Sequence, residues 1–232
     1  STSEIISQTV GSANVALSED AFQRIIKEKH DANIMFLIQQ ANVRSSELKT
    51  AKAFQEEVKA IGEAANKQIT NIEISAYASP DGSLDLNQGL AEKRQDATAK
   101  VVNRNLKKDK MEANVDTKYT AEDWEGFQEL VSKSNIQDKE LILRVLSMYK
   151  EPEQREQEIK NISSVYSALA DEILPQLRRS RLTLNYEIIG KSDEEIANLA
   201  DTNAKELSLE ELLYAATLAK DAAKKEAIYT KA

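Results

Sequence analysis

The stretch from residue 72 to residue 101 constrains the fold more than any other part of the chain. A strand-forming run, Ile72 to Tyr77, ends in Pro80-Asp81-Gly82-Ser83, and helix formers follow. Asn87, Leu90, Ala91, Arg94, Ala97 and Val101 recur every three or four residues, which stacks them along one side of a helix. Asn87 and Arg94 interrupt that otherwise apolar stripe two turns apart. A strand, a tight turn and a helix opening thus bring backbone N–H groups, an amide and a guanidinium toward one spot. Such a spot suits a small anion, for example a carboxylate.

These residues resemble the central motif of the OmpA-like, peptidoglycan-associated domain family of Gram-negative envelopes. That motif runs as a strand, Gly-Tyr-Thr-Asp-x-x-Gly-Ser, then Asn-x-x-Leu-Ser-x-x-Arg-Ala-x-x-Val. Here Ala76-Tyr77-Ala78-Ser79-Pro80-Asp81-Gly82-Ser83 is followed by Asn87-Gln88-Gly89-Leu90-Ala91-Glu92-Lys93-Arg94. The spacing from Tyr77 through Gly82 and Asn87 to Arg94 matches without a gap, and a weaker likeness extends over roughly residues 30–188. The resemblance implies an α/β (α+β) sandwich with a β-α-β-α-β-β mixed sheet. Helices would cover one face, with a helical insertion before the last strand. It also implies periplasmic, outer-membrane-associated peptidoglycan binding, in which the matching arginine grips a carboxylate of the stem-peptide diaminopimelate. The matching asparagine helps fix the same ligand.

Carried over residue by residue, Arg94 forms the carboxylate fork and Asn87 an amide contact, beside Tyr77. The family's aspartate, which receives the ligand's ammonium group, falls on Ser79. A hydroxyl supplies no countercharge, and Asp81 is the nearest acid. Pro-Asp-Gly is also ordinary turn chemistry, so both readings of Asp81 stand. If nothing replaces the acid, binding weakens by about 2 kcal/mol, some thirtyfold. Arg94 likewise has two readings: a ligand clamp, or an arginine whose stem covers apolar neighbours. Arg178-Arg179-Ser180 resembles the Arg-Arg-Val that opens the family's final strand. One of the two arginines, Arg179 being the one chosen, lines the pocket, or both are surface basic residues capping the helix that ends near Pro175.

Composition narrows the function classes. Thirty-one basic against 39 acidic residues give a net charge of −8. Without a concentrated Lys/Arg stripe and interleaved aromatics, a nucleic-acid partner is not expected. No cysteine is present, which excludes disulfides and thiolate chemistry. The longest apolar run, Ile34 to Ile38, is far below the ~20 residues that span a bilayer. The chain opens on Ser1 rather than methionine and reads as a mature or excised piece. The single histidine, His30, lies in a charged segment and reads as solvated. No phosphate loop, nucleophile elbow or metal-binding helix motif appears, so neither catalysis, a cofactor nor a metal is expected.

Three segments are expected: residues 1–28 as a lead-in linker, 29–190 as the OmpA-like domain with an insertion at about 121–176, and 191–232 as a helical tail. Ile34-Met35-Phe36-Leu37-Ile38 reads as a central strand covered on both faces. Leu48, Ala51, Phe54, Val58 and Ile61 predict one helical face. Ala113 to Tyr119 predicts a strand, and Thr120 to Asp123 a capping box for a helix bearing Trp124, Phe127, Leu130 and Val131. Pro152 predicts a helix start and Pro175 a stop. Arg181 to Ile188 predicts a final strand with an antiparallel neighbour. Ser192 and Ser208 each open a capping box. Leu209, Leu212, Leu213, Ala216 and Ala219 then share a face, and Ala222 starts a further helix. This tail resembles the opening of a tetratricopeptide array and would offer a surface to protein partners. The alternative function is an interaction scaffold that keeps the fold but has lost the ligand site.

Overall fold

The computed structural model describes residues 24–229. Most of the expected linker, and the last three residues of the expected tail, lie outside them. Four strands and two long helices form the frame. They are β1 (Ile25–Met35), α1 (Ser45–Glu63), β2 (Lys67–Tyr77), α2 (Leu84–Lys108), β3 (Val115–Thr120) and β4 (Arg179–Ile189). Between β3 and β4 come α3 (Trp124–Lys133), α4 (Lys139–Met148), α5 (Pro152–Asn161), α6 (Ser163–Ala168), a π turn (Leu169–Ile173) and the short α7 (Leu174–Leu177). Strand order is β1-β4-β2-β3, and β2 and β3 are parallel, with Ile74 opposite Thr117. β4 runs antiparallel to β1: Phe36 N–H donates to the Arg178 carbonyl at 2.7 Å, and Gly190 N–H to the Arg24 carbonyl at 2.7 Å. The sheet is therefore mixed, and the element order is the expected β-α-β-α-β, insertion, β.

Period-two alternation divides the sheet into two faces. Ile34, Ile72, Ile74, Leu182 and Leu184 point to one side and form a single core with Ala51, Phe54, Val58 and Ile61 of α1 and Val101, Val102 and Leu106 of α2. The other side is polar. Thr183 Oγ1 donates to Asp31 at 2.7 Å, Asn185 to Asn71 at 2.8 Å, and Asn71 to Asp116 at 2.7 Å. The insertion has its own apolar core, with Phe127, Val131, Ile142, Leu169, Ile173 and Leu177 at its centre. By contacts the chain divides into two units. One holds residues 29–63 and 69–186; the other holds, among the described residues, 24–28, 64–68 and 187–229.

Several local expectations need correction. The apolar run at residue 34 is an edge strand, not a central one. Ile34 and Phe36 are buried, whereas Leu37 and Ile38 are 44% and 54% exposed, because the chain turns there. Gln39 takes φ 55° in that turn, and Gln40 N–H closes it on the Leu37 carbonyl at 3.1 Å. Leu48 is exposed although the rest of its helical face is buried. Thr120 ends β3 instead of capping; Asp123 is the N-cap, its Oδ1 accepting from Gly126 N–H at 2.9 Å. Pro175 does not stop the helix. It sits in the first turn of α7, after the π turn, where its missing N–H costs little. His30 stacks on Phe54, ring centroids 6.1 Å apart, and is half-buried instead of solvated.

In the second unit, α8 (Asp193–Thr202) and α9 (Leu209–Tyr229) pack through Ile196, Leu199, Leu212 and Ala215. Both serine caps form; at Ser208 the box is reciprocal, with Glu211 N–H to Oγ at 3.1 Å and Ser208 N–H to Glu211 Oε1 at 2.9 Å. The expected apolar face is wrong in detail: Leu209 and Leu213 are 73% and 63% exposed. No break occurs at Ala222, where α9 continues, since Ala and Lys there favour helix and nothing caps a new start.

Candidate functional site

The corner after β2 is stitched by its own backbone before any functional group enters. Ala78 N–H donates to the Thr120 carbonyl at 3.2 Å, and Asp81 N–H to the Ser79 carbonyl at 2.8 Å. Ser83 caps α2, its hydroxyl accepting from Leu86 N–H at 3.3 Å, which satisfies one of the helix's free donors. Asn87 reaches back to the Gly82 carbonyl at 3.3 Å. Strand end, turn and helix start are thereby one rigid piece.

Arg94 lies beneath this corner, wholly buried. Its Nε donates to the Gln40 carbonyl at 2.9 Å, Nη1 to the Tyr77 carbonyl at 3.0 Å and Nη2 to the Leu37 carbonyl at 3.1 Å. The Phe36 ring centroid is 5.2 Å from the guanidinium carbon, a cation–π contact. Burial, then the like charge of Arg178, lower the Arg94 pKa to about 10, while Asp81 works the other way. The group is still charged at neutral pH. Thr98 Oγ1 donates to the Arg94 carbonyl at 2.7 Å and lies 2.8 Å from Ser180 Oγ, whose hydroxyl can donate to it, tying α2 to β4.

Asp81 turns toward the protein. Arg178 Nη2 meets its Oδ2 at 3.0 Å, with both side chains 11–12% exposed. Ser79 Oγ donates to Asp81 Oδ1, and Arg178 Nε lies 3.4 Å from Ser79 Oγ. Arg179 Nη1 sits 3.1 Å from Asp123 Oδ2, and its guanidinium carbon is 4.7 Å from the Tyr77 ring centroid. Arg181 approaches the same ring at 5.8 Å. Asn87 also donates to Glu122 at 3.4 Å, whose other oxygen accepts from Trp124 Nε1 at 2.8 Å.

Tyr77, Ser79, Asp81, Asn87, Arg94 and Arg179 are thus linked through shared contacts in one corner. Arg94 differs from the others, because three of its N–H bonds go to backbone carbonyls and none of its surface is open. Asp81 and Arg178 keep a little open surface, 12% and 11% of their side chains. Of the pair Arg178 and Arg179, Arg179 was the one chosen from sequence, and Glu122 and Asp123 were not among the site residues read there. The signal was weak: two adjacent arginines before a strand, and two acids where a helix begins.

A narrow cleft beside the corner is lined by Pro80, Trp124, Phe127, Glu156, Lys160 and Tyr166, among others. Among the described residues no helix is long and apolar enough to cross a membrane. No protein-family model matches the sequence, and no curated protein matches it. Among solved structures, the OmpA-like domain of FopA1 from Francisella tularensis subsp. tularensis SCHU S4 is similar, at 14% identity and a TM-score of 0.38. That alignment covers 75% of this chain and 86% of the other.

Proposed function

We propose that the protein is a non-catalytic module of the cell envelope that associates with peptidoglycan, taking the diaminopimelate of the stem peptide at the corner between Asp81 and Arg178. The observation that supports this reading is the facing carboxylate and guanidinium, 3.0 Å apart and still slightly open to solvent. An amino-acid zwitterion carries the same two charges. Its ammonium can exchange onto Asp81 and its carboxylate onto Arg178, each through charge-assisted hydrogen bonds. Asp81 then supplies the countercharge that Ser79 lacks, and Ser79 Oγ, already bonded to that carboxylate, orients it. Asn87 and Tyr77 border the ligand, and Arg179 holds the Tyr77 ring.

Arg94 contributes its charge from below. A direct fork from Arg94 to the ligand requires the corner above it to open, since the side chain has no exposed surface. A periplasmic, outer-membrane-associated location belongs to the same reading, as does a role for the helical tail toward protein partners.

Titration of the purified chain with diaminopimelate-containing muropeptides tests the assignment. Saturable binding is expected, weakened about thirtyfold by Asp81→Asn or Arg178→Met, on the scale of one lost charged contact of about 2 kcal/mol. Absence of saturation overturns the proposal, and so does binding indifferent to both substitutions. Sedimentation with purified sacculi separates it from the scaffold alternative, which stays in the supernatant.

A further inference from the structure

Trp124 is the single tryptophan of the chain, and it reports on a joint that shares only Asn87 with the proposed ligand site. Its indole N–H donates to Glu122 at 2.8 Å, and the same carboxyl accepts from Asn87 on α2. Glu156, on α5, lines the same cleft as Trp124, with the Glu122 carboxyl as its neighbour. Two carboxyl groups can bond to each other only with a proton between them. Burial first, then the hydrogen bond and charge of Glu122, push Glu156 up from its ordinary 4.5 to about 7, with Lys160 opposing.

The joint lies in the cleft beside Pro80 and links two parts with separate apolar cores, the sheet with its two long helices and the insertion. The cleft is also lined by Phe127, Ile159, Leu169 and Leu174 of the insertion's own core, so movement there reaches that core and spares the core of the sheet. The groups around Glu156 can be named. Glu122 comes from the segment before α3, and Lys160, at 3.5 Å, from the next turn of α5. The Tyr166 phenol of α6 lines the cleft. Arg155, 5.5 Å from the Trp124 ring, gives its N–H groups to the Tyr149 and Leu146 carbonyls. The turn contributes Pro80, and the neighbouring Asp81 is already paired with Arg178.

We propose that the proton shared by Glu122 and Glu156 is a latch: with it in place α5 is tied through Glu122 to Trp124 and Asn87, and on its loss the two carboxylates repel and the insertion loosens at the Pro80 corner. This rests on the joint alone and holds whatever ligand the corner takes. The sign of the pH effect follows from the raised value. Between about 4.5 and about 7 the folded chain holds a proton that the unfolded chain has released, so stability falls as pH rises through that window.

Trp124 emission of the full chain, followed from acid to alkaline pH, tests the latch. A reversible transition with a midpoint near 7 is expected. Glu156→Gln is expected to abolish it and to remove most of the loss of thermal stability between about pH 4.5 and about 7. Lys160→Met, which deletes the opposing cation, is expected to move the midpoint upward. A flat wild-type profile overturns the latch, as does a midpoint retained in Glu156→Gln. Should that variant not fold, an unmoved midpoint in Lys160→Met has the same force. The only histidine, His30, packs on Phe54 in the sheet core, so a transition that survives Glu156→Gln would belong elsewhere.

Discussion

Replacing Arg94 by methionine is expected to lower the free energy of unfolding by at least about 3 kcal/mol, read as a shift of the urea midpoint at unchanged slope. Methionine keeps much of the stem volume, so the loss measures the head group. That head donates to the Leu37, Gln40 and Tyr77 carbonyls at 2.9–3.1 Å. A hydrogen bond from a charged donor contributes roughly 1.5–3 kcal/mol, and three sharing one guanidinium are not additive. Lysine is expected to recover less than half, because one ammonium cannot match a planar fork aimed at three carbonyls. Near-wild-type stability in the methionine variant would mean that the turn at Gln39 holds itself. The experiment also separates structure from recognition. A ligand clamp that is also a structural pin cannot be removed without unfolding cost, whereas Asp81→Asn should weaken muropeptide binding at the smaller stability cost of one ion pair.

Gly126→Ala is expected to cost about 2–3 kcal/mol, a value that combines a lost N-cap with a broken, nearly buried ion pair. A Cβ built on Gly126 falls 2.8 Å from Asp123 Cγ and 2.9 Å from its Oδ1. The carboxylate must swing away, and it then loses both the Gly126 N–H and Arg179. Gly89 is the control. A Cβ there meets nothing within 4 Å, and alanine in that helix is expected to stabilise by about 0.5–1 kcal/mol. Circular dichroism melts of the two variants should therefore move in opposite directions. A Gly126→Ala melt within a degree of wild type would show that Asp123 relaxes freely.

The fold was legible wherever period and punctuation agreed. Ile72 to Tyr77, the turn, Ser83 and the stripe from Asn87 to Val101 predicted a strand, a corner and a helix, and the chain builds all three. Ile34 to Ile38 misled because five successive apolar residues look alike whether a strand is covered twice or ends halfway along. What ends it is a turn pinned by Arg94, a contact across 54 positions that no local pattern encodes. The tail was misjudged for a related reason. Leu209 and Leu213 share a helical face with each other, and which face is buried depends on where α8 lies. At the corner, helical spacing paired Asn87 with Arg94, and the resemblance to the OmpA-like motif added Tyr77, Ser79 and Asp81. Neither could say which of them face outward. Which of Arg178 and Arg179 meets Asp81 is decided by the course of the chain into β4, and Glu156 enters through the packing of the insertion.

The strand order also bears on solubility. β1 and β3 flank the sheet, and between them they carry Lys27, Glu28, Lys29, Asp31, Asp116 and Lys118. A foreign strand adding to either rim would have to strip water from ionised groups, and that cost discourages amyloid-like stacking. The molecule thus guards itself with ordinary surface charge, and neutralising those six residues should promote fibrils well before it disturbs the hydrophobic interior.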